Sequence, residues 1–242
     1  MKNKPDSEEV FRMLIAKGNL KQQVYSNTYN TFAKFKTEIK NIVKEYQESH
    51  LKTDKPIPFE YKNRGEFEVE LKFAGDILIF MMHTNVFEFP RNHEVNKMPY
   101  VTEDPNRSYC GVINIYNFLG DSFKYKRVND IGYLIGRVFI NKDMHYFIEG
   151  KREIGFLYRN FADARMNDEA ARKIILSSIK YTINFDLLTP PYDQVKILSV
   201  FEIQATLDNM KIKTGKRLGF QFQADRDEDE NREENSGPEN MF

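Results

Sequence analysis

His83, Glu88, His93 and Glu94 form the one cluster in this chain with the residue types of a metal site. Zinc sites announce themselves by two histidines four apart on a helix or by paired cysteines, and neither spacing is present. His93 falls in an expected loop, so neither a metal nor another cofactor is assigned. Cys110 is the only cysteine. A nucleophilic thiol needs a base and an electropositive setting, and no local signature supplies them, so a buried, inert thiol is expected. Asp76, Asp121, Asp143, Glu149 and Glu153 could supply paired carboxylates for acid–base work. The three aspartates stand at turn signals, where their side chains serve their own backbone. Gly132 and Gly136 lack the spacing and the lysine of a phosphate cradle. No catalytic residue is assigned, and the reading leans away from an enzyme.

Cations interleaved with aromatic residues are more suggestive. Phe123, Lys124, Tyr125, Lys126 and Arg127 would alternate across a strand, and Lys211, Lys213, Lys216 and Arg217 make the densest basic stretch. Grooves for single-stranded nucleic acid combine such charges with rings that stack on bases. Lys124, Tyr125, Lys126, Arg127, Lys211, Lys213, Lys216 and Arg217 are therefore the candidate nucleic-acid-binding residues. The competing reading is a solvated strand face beside an aromatic core.

The last eighteen residues hold eight acids and two bases, a net −6. The whole chain is neutral, with 36 cations and 36 anions, so residues 1–224 carry +6. A block of like charge is typically a disordered interaction tail. This one starts at Asp225 and ends in Met241 and Phe242. Acids followed by an apolar C-terminal tip resemble the tail of bacterial and phage single-stranded-DNA-binding proteins. That resemblance, confined to residues 225–242, implies acids that shield the DNA groove and a terminal aromatic, Phe242 with Met241, that docks on a protein partner. A plain solubilising tail is the alternative.

The elements that would position these residues can be read from periodicity. Residues 7–50 read as helical, with a break expected at Gly18 and Asn19. Tyr25, Thr28, Phe32, Phe35, Ile39, Ile42 and Tyr46 follow at three- and four-residue steps, a narrow apolar seam. The seam fits a helix lying across its own sheet, or self-association between copies. Pro56 and Pro58 mark a linker over 52–58. Residues 66–73 alternate strictly, so one face meets a core and the other meets water. A turn at Ala74, Gly75 and Asp76 leads to a returning strand over 77–89, then a long loop over 90–108. Further strands are expected at 110–118, 123–128, 135–141, 145–149, 153–159 and 217–223, and 195–205 reads as a strand or a short helix, with strand favoured. Short turns between them require antiparallel pairing. A helix over 168–188, capped by Asn167, carries a wide apolar stripe from Ala171 to Leu187.

The reading is one α+β fold: a helical arm (1–52), a body (59–223) built on an antiparallel meander with one long packed helix, and a disordered acidic tail (224–242). No apolar run approaches the roughly 20 residues of a membrane span, and no signal peptide is expected. One cysteine and no targeting signal make the cytoplasm the expected compartment. The function expected is a non-enzymatic binding protein for single-stranded nucleic acid or a nucleoprotein partner. The alternatives are a scaffold that self-associates through the Tyr25–Tyr46 helix, and a small-ligand receptor or enzyme whose pocket residues are not adjacent in sequence.

Overall fold

The computed structural model describes residues 7–50, 57–150, 160–186, 189, 191–201 and 203. Helix α1 (Ser7–His50) crosses one face of an antiparallel sheet. The strands are β1 (Phe59–Asn63), β2 (Glu68–Phe73), β3 (Asp76–Met82), β4 (Phe87–Glu88), β5 (Tyr109–Leu119), β6 (Tyr133–Asn141) and β7 (Tyr146–Gly150). Their order is β1-β2-β3-β5-β6-β7, with the short β4 paired to the start of β5. Between the strands lie two short helices, α2 (Pro99–Glu103) and α3 (Gly120–Lys124). After them come α4 (Asp168–Ile183), which packs beside α1, and the short α5 (Tyr192–Val195). The chain is thus α+β, as its two periodicities imply.

The main core lies between the helices and the sheet. Phe32, Phe35 and Ile39 of α1 are fully buried with Leu71, Phe80, Ile113 and Ile115 of the sheet and Ile174 and Ile175 of α4. The middle of the seam on α1 is therefore filled by the chain's own sheet, with Tyr25 and Tyr46 near its ends only partly buried. Helix and sheet approach closely at Gly111, where a Cβ would stand 2.0 Å from the Thr28 hydroxyl oxygen. Only glycine lets α1 lie that close. Asn167 caps α4 as its sequence implies, its side chain accepting from the Ala170 N–H at 2.7 Å.

Several expectations need correction, among them the returning strand over 77–89, which stops at Met82 and pairs again only at Phe87 and Glu88. The break at Gly18 and Asn19 does not occur, because one helix of 44 residues runs through both. A single glycine costs only about 1 kcal/mol in a helix, and the packing of α1 from Val24 onward outweighs that. Strand β1 lies just past the expected linker. Residues 123–128 are not a strand: Phe123 and Lys124 end α3, and Lys126 turns with a φ of 51°. Over 195–205 the short helix and not the favoured strand appears among the described residues, since Val195 ends α5 and Val200, Phe201 and Ile203 are helical. The segment 90–108 is no plain loop but three short helical pieces that cover one end of the outer sheet face. The expected strands at 153–159 and 217–223, the basic cluster Lys211, Lys213, Lys216 and Arg217, and the tail with Met241 and Phe242 lie outside the described residues.

Candidate functional site: a groove on the open sheet face

Alternation on β5 divides its side chains between two environments. Ile113 and Ile115 point into the main core, while Cys110, Val112, Asn114 and Tyr116 face the other side. Part of that outer face is roofed by the 90–108 segment, which forms a second core of Val95, Val101, Cys110, Val112, Phe139 and Phe161. Next to the roof the face stays open as a groove of about 500 Å³.

The floor of the groove is one row across the sheet. Register places Asn114 of β5 beside Arg137 of β6, and Arg137 beside Glu149 of β7. Arg137 and Glu149 form an ion pair, both partly exposed. Asn114 is only 9 % exposed as a residue, and its carboxamide makes no hydrogen bond among the described residues; the fully buried carboxamide without a partner on this strand is that of Asn117. The two donors and the acceptor of Asn114 are thus unused in the lining of the groove. The walls are ring-rich. Phe89 packs 5.0 Å from Phe139 and 4.6 Å from His93, and His83 lies edge-on to Phe87 at 4.7 Å.

The two histidines are held in one tautomer. His83 Nδ1 accepts from the Asn85 N–H at 3.0 Å, and His93 Nδ1 accepts from the Val95 N–H at 3.2 Å. A neutral ring that accepts at Nδ1 carries its proton on Nε2, so each ring offers the groove a donor. This is the reverse of a metal-binding histidine, whose second nitrogen donates outward while the first holds the metal. The other members of the cluster are also engaged. Glu88 accepts from the Tyr109 hydroxyl, and Glu94 is paired with Lys97, whose hydrogen bond holds its carboxyl below the usual range. Among the described residues no group of three or more His, Cys, Asp or Glu is placed to hold a metal.

Cys110 is fully buried in the second core, and burial pushes its thiol far above the usual range. Of the candidate carboxylates, Asp76 opens β3 opposite Leu119, at the same end of the strands as Asp121, and Glu153 lies outside the described residues. Asp121 opens α3 at one end of the strands, Asp143 sits in the β6–β7 turn at the other, and Glu149 is on β7. Of the candidate nucleic-acid residues, Lys124, Tyr125 and Lys126 share the exposed turn after α3, with the Lys124 ammonium 4.9 Å above the Tyr125 ring. Arg127 is buried beside them and paired with Asp130 at 3.0 Å, so it does not extend that surface.

A second polar cluster gathers residues from two distant segments. Asn141 is fully buried in the β6–β7 turn, and its side-chain oxygen accepts from the Asp143 and His145 N–H groups, each at 3.0 Å. Its amide donates to the Tyr100 hydroxyl at 3.0 Å, and that hydroxyl donates to Asp143 at 3.1 Å. The Arg107 guanidinium lies 4.3 Å over the Tyr100 ring and donates to Asp143 at 3.1 Å. Burial, with the Asp143 charge behind it, pushes the Tyr100 phenol up to about 12. Every member is satisfied by another, so the cluster is a clamp that ties the 90–108 segment to the β6–β7 turn.

The groove was invisible to sequence reasoning because its floor comes from three strands. One signal was present: Asn114 interrupts the apolar run of β5 at an outward position. No family model matches this chain, and comparison with curated proteins and with solved structures finds no match.

Proposed function

We propose that this chain is a binding protein that seats a small organic ligand in the groove over Asn114. The observation that carries this reading is Asn114, 9 % exposed as a residue and making no side-chain hydrogen bond among the described residues, in the lining of an open 500 Å³ groove. The Asn114 carboxamide is not among the buried unpartnered polar atoms of the described residues, so solvent reaches it and a ligand edge can take the place of that water. The lining suits a neutral ligand with a flat apolar body and a hydrogen-bonding edge. Phe87, Phe89 and Phe139 offer ring surface, Asn114 offers both donor and acceptor, and the one guanidinium is already balanced by Glu149. The reading is binding rather than turnover, because neither imidazole can take up a proton at Nδ1 without giving up its backbone hydrogen bond.

Saturation-transfer NMR with adenosine, nicotinamide and methyl glucoside as neutral probes tests the groove. Transfer to a ring-bearing probe, lost in a folded Asn114→Val variant, is expected. Transfer that does not depend on Asn114, or none at all, overturns the reading.

A second reading is favoured by the turn after α3, where exposed Phe123 and Tyr125 stand beside Lys124 and Lys126. On this reading the turn contacts single-stranded nucleic acid, and the acidic tail competes for it or docks on a protein partner through Met241 and Phe242. Binding would weaken steeply with salt. Fluorescence anisotropy of a labelled single-stranded oligonucleotide should then show a loss with Lys124→Glu and Lys126→Glu together; no binding at low salt, with or without residues 225–242, removes the reading. Among the described residues no helix is long and apolar enough to cross a membrane. The single buried Cys110 suits a reducing compartment, and we place the protein in the cytoplasm.

A further inference from the structure

Two enclosed side chains from different layers of the fold lack a hydrogen bond. Both ends of the Asn117 carboxamide and the Thr182 hydroxyl have no partner among the described residues, and no solvent reaches them. Asn117 is 2 % exposed and Thr182 1 %. Register sets Asn117 of β5 between Leu78 of β3 and Tyr133 of β6. Directly paired residues share a face of a sheet, and Leu78 and Tyr133 belong to the main core. Asn117 therefore points toward the helices, on the side away from the groove. Thr182 comes from the helical layer, where it continues the buried face of Ile175, Ser178 and Ile179 on α4.

The path of α4 brings the two together. The helix starts beside the β6–β7 turn, where the Met166 N–H donates to the Met144 carbonyl at 2.8 Å. It ends over the start of β6, where the Phe185 ring lies 6.0 Å from that of Tyr133. The Phe185 N–H donates to the Thr182 carbonyl at 3.1 Å, so Thr182 stands one turn back from this contact. Tyr133 is thus the neighbour of Asn117 and the seat of the last turn of α4. Thr182 is also unlike other hydroxyls on the long helices. Those of Thr28, Thr31, Thr37 and Ser178 each donate to the carbonyl four residues before, at 2.8–3.1 Å. Thr182 makes no such bond, so its hydroxyl is not spent on its own helix.

We propose that Asn117 and Thr182 enclose internal water that links β5 to the last turn of α4. A carboxamide and a hydroxyl each offer a donor and an acceptor, and native interiors answer such groups with protein or ordered water. Neither group is charged, so the site takes a neutral molecule. Neither is open to solvent, so the molecule is small enough to be sealed inside. Water meets both conditions and accepts from one group while donating to the other.

This inference does not rest on the groove, which lies on the opposite face of the sheet. Oxygen-17 magnetic relaxation dispersion of the full chain counts waters held longer than the protein tumbles. Asn117→Leu with Thr182→Val, which nearly preserves both volumes, should lose at least one such water. In urea denaturation Asn117→Leu alone should lower the midpoint, because it strips the water and Thr182 of a partner. Adding Thr182→Val should restore part of that loss. An unchanged water count in the double variant overturns the proposal. A midpoint raised by Asn117→Leu alone also overturns it, since that is the behaviour of a carboxamide enclosed dry. If Asn117→Leu does not fold, Thr182→Val alone decides: it removes only the hydroxyl, and a water count equal to that of the wild type overturns the proposal.

Discussion

Asn141 and Asn114 are both asparagines on adjacent strands, both buried, and they have opposite surroundings. Asn141 uses both ends of its carboxamide, joining the β6–β7 turn to Tyr100 of the 90–108 segment. Asn114, beside Arg137 in the groove, uses neither end among the described residues. The clamp has the more chemical appearance, with Tyr, His, Asp and Arg within reach of one another. Its groups are spent on each other, however, so it holds structure. The groove looks plainer and keeps unspent hydrogen-bonding capacity facing an opening. Unspent capacity, rather than a gathering of reactive residue types, marks a place for a ligand.

The comparison can be broken most decisively at Asn141. Replacing it by alanine strips an acceptor from two backbone N–H groups and a donor from Tyr100, and should lower stability by about 3 kcal/mol. Urea denaturation measures this, and a loss below 1 kcal/mol would mean that the clamp is not holding the turn.

A smaller effect should appear at high pH. The Tyr100 phenol is raised from 10.0 to about 12, so the folded state holds this proton more tightly than the unfolded chain does. The stability this gives is complete below pH 10 and is lost as pH rises through 12. Tyr100→Phe should flatten that stretch of the stability–pH curve relative to wild type. An identical curve in the variant would assign the loss to other groups.

The smallest effect is expected at Asn114. In the absence of a ligand, Asn114→Val should change stability by less than about 1 kcal/mol, since the carboxamide makes no hydrogen bond among the described residues and is reached by solvent. A loss as large as that of Asn141→Ala would show that Asn114 has a structural partner and would erase the distinction between the two regions.

Legibility in the sequence followed the range of the interactions involved. The strict alternation of residues 66–73 appears as β2, with Val69, Leu71 and Phe73 buried. The cap at Asn167 and the stripe behind it appear as α4, and the seam from Tyr25 to Tyr46 appears as the buried face of α1. Strand β1 was equally legible, because Phe59, Glu60, Tyr61 and Lys62 alternate, but the two prolines before it drew attention to a linker instead. Gly18 and Asn19 misled for the opposite reason: a local breaker was overruled by packing further along the helix. Residues 123–128 alternate in type without being a strand, since α3 and the turn at Lys126 absorb them.

What the sequence by itself determined is the set of elements whose signals are local, where an apolar period or a cap shows within a few residues because the energy that sets it acts over that distance. From this came the α+β class, the antiparallel meander and the two long helices. Only the tertiary structure decided which residues meet across strands and where a face is left uncovered. The row Asn114, Arg137 and Glu149 depends on the register of three strands, and the enclosure of Asn117 depends on where α4 ends over the sheet. Both are differences between what an element offers and what its neighbours cover, and neither half of that difference is written in the spacing of one segment.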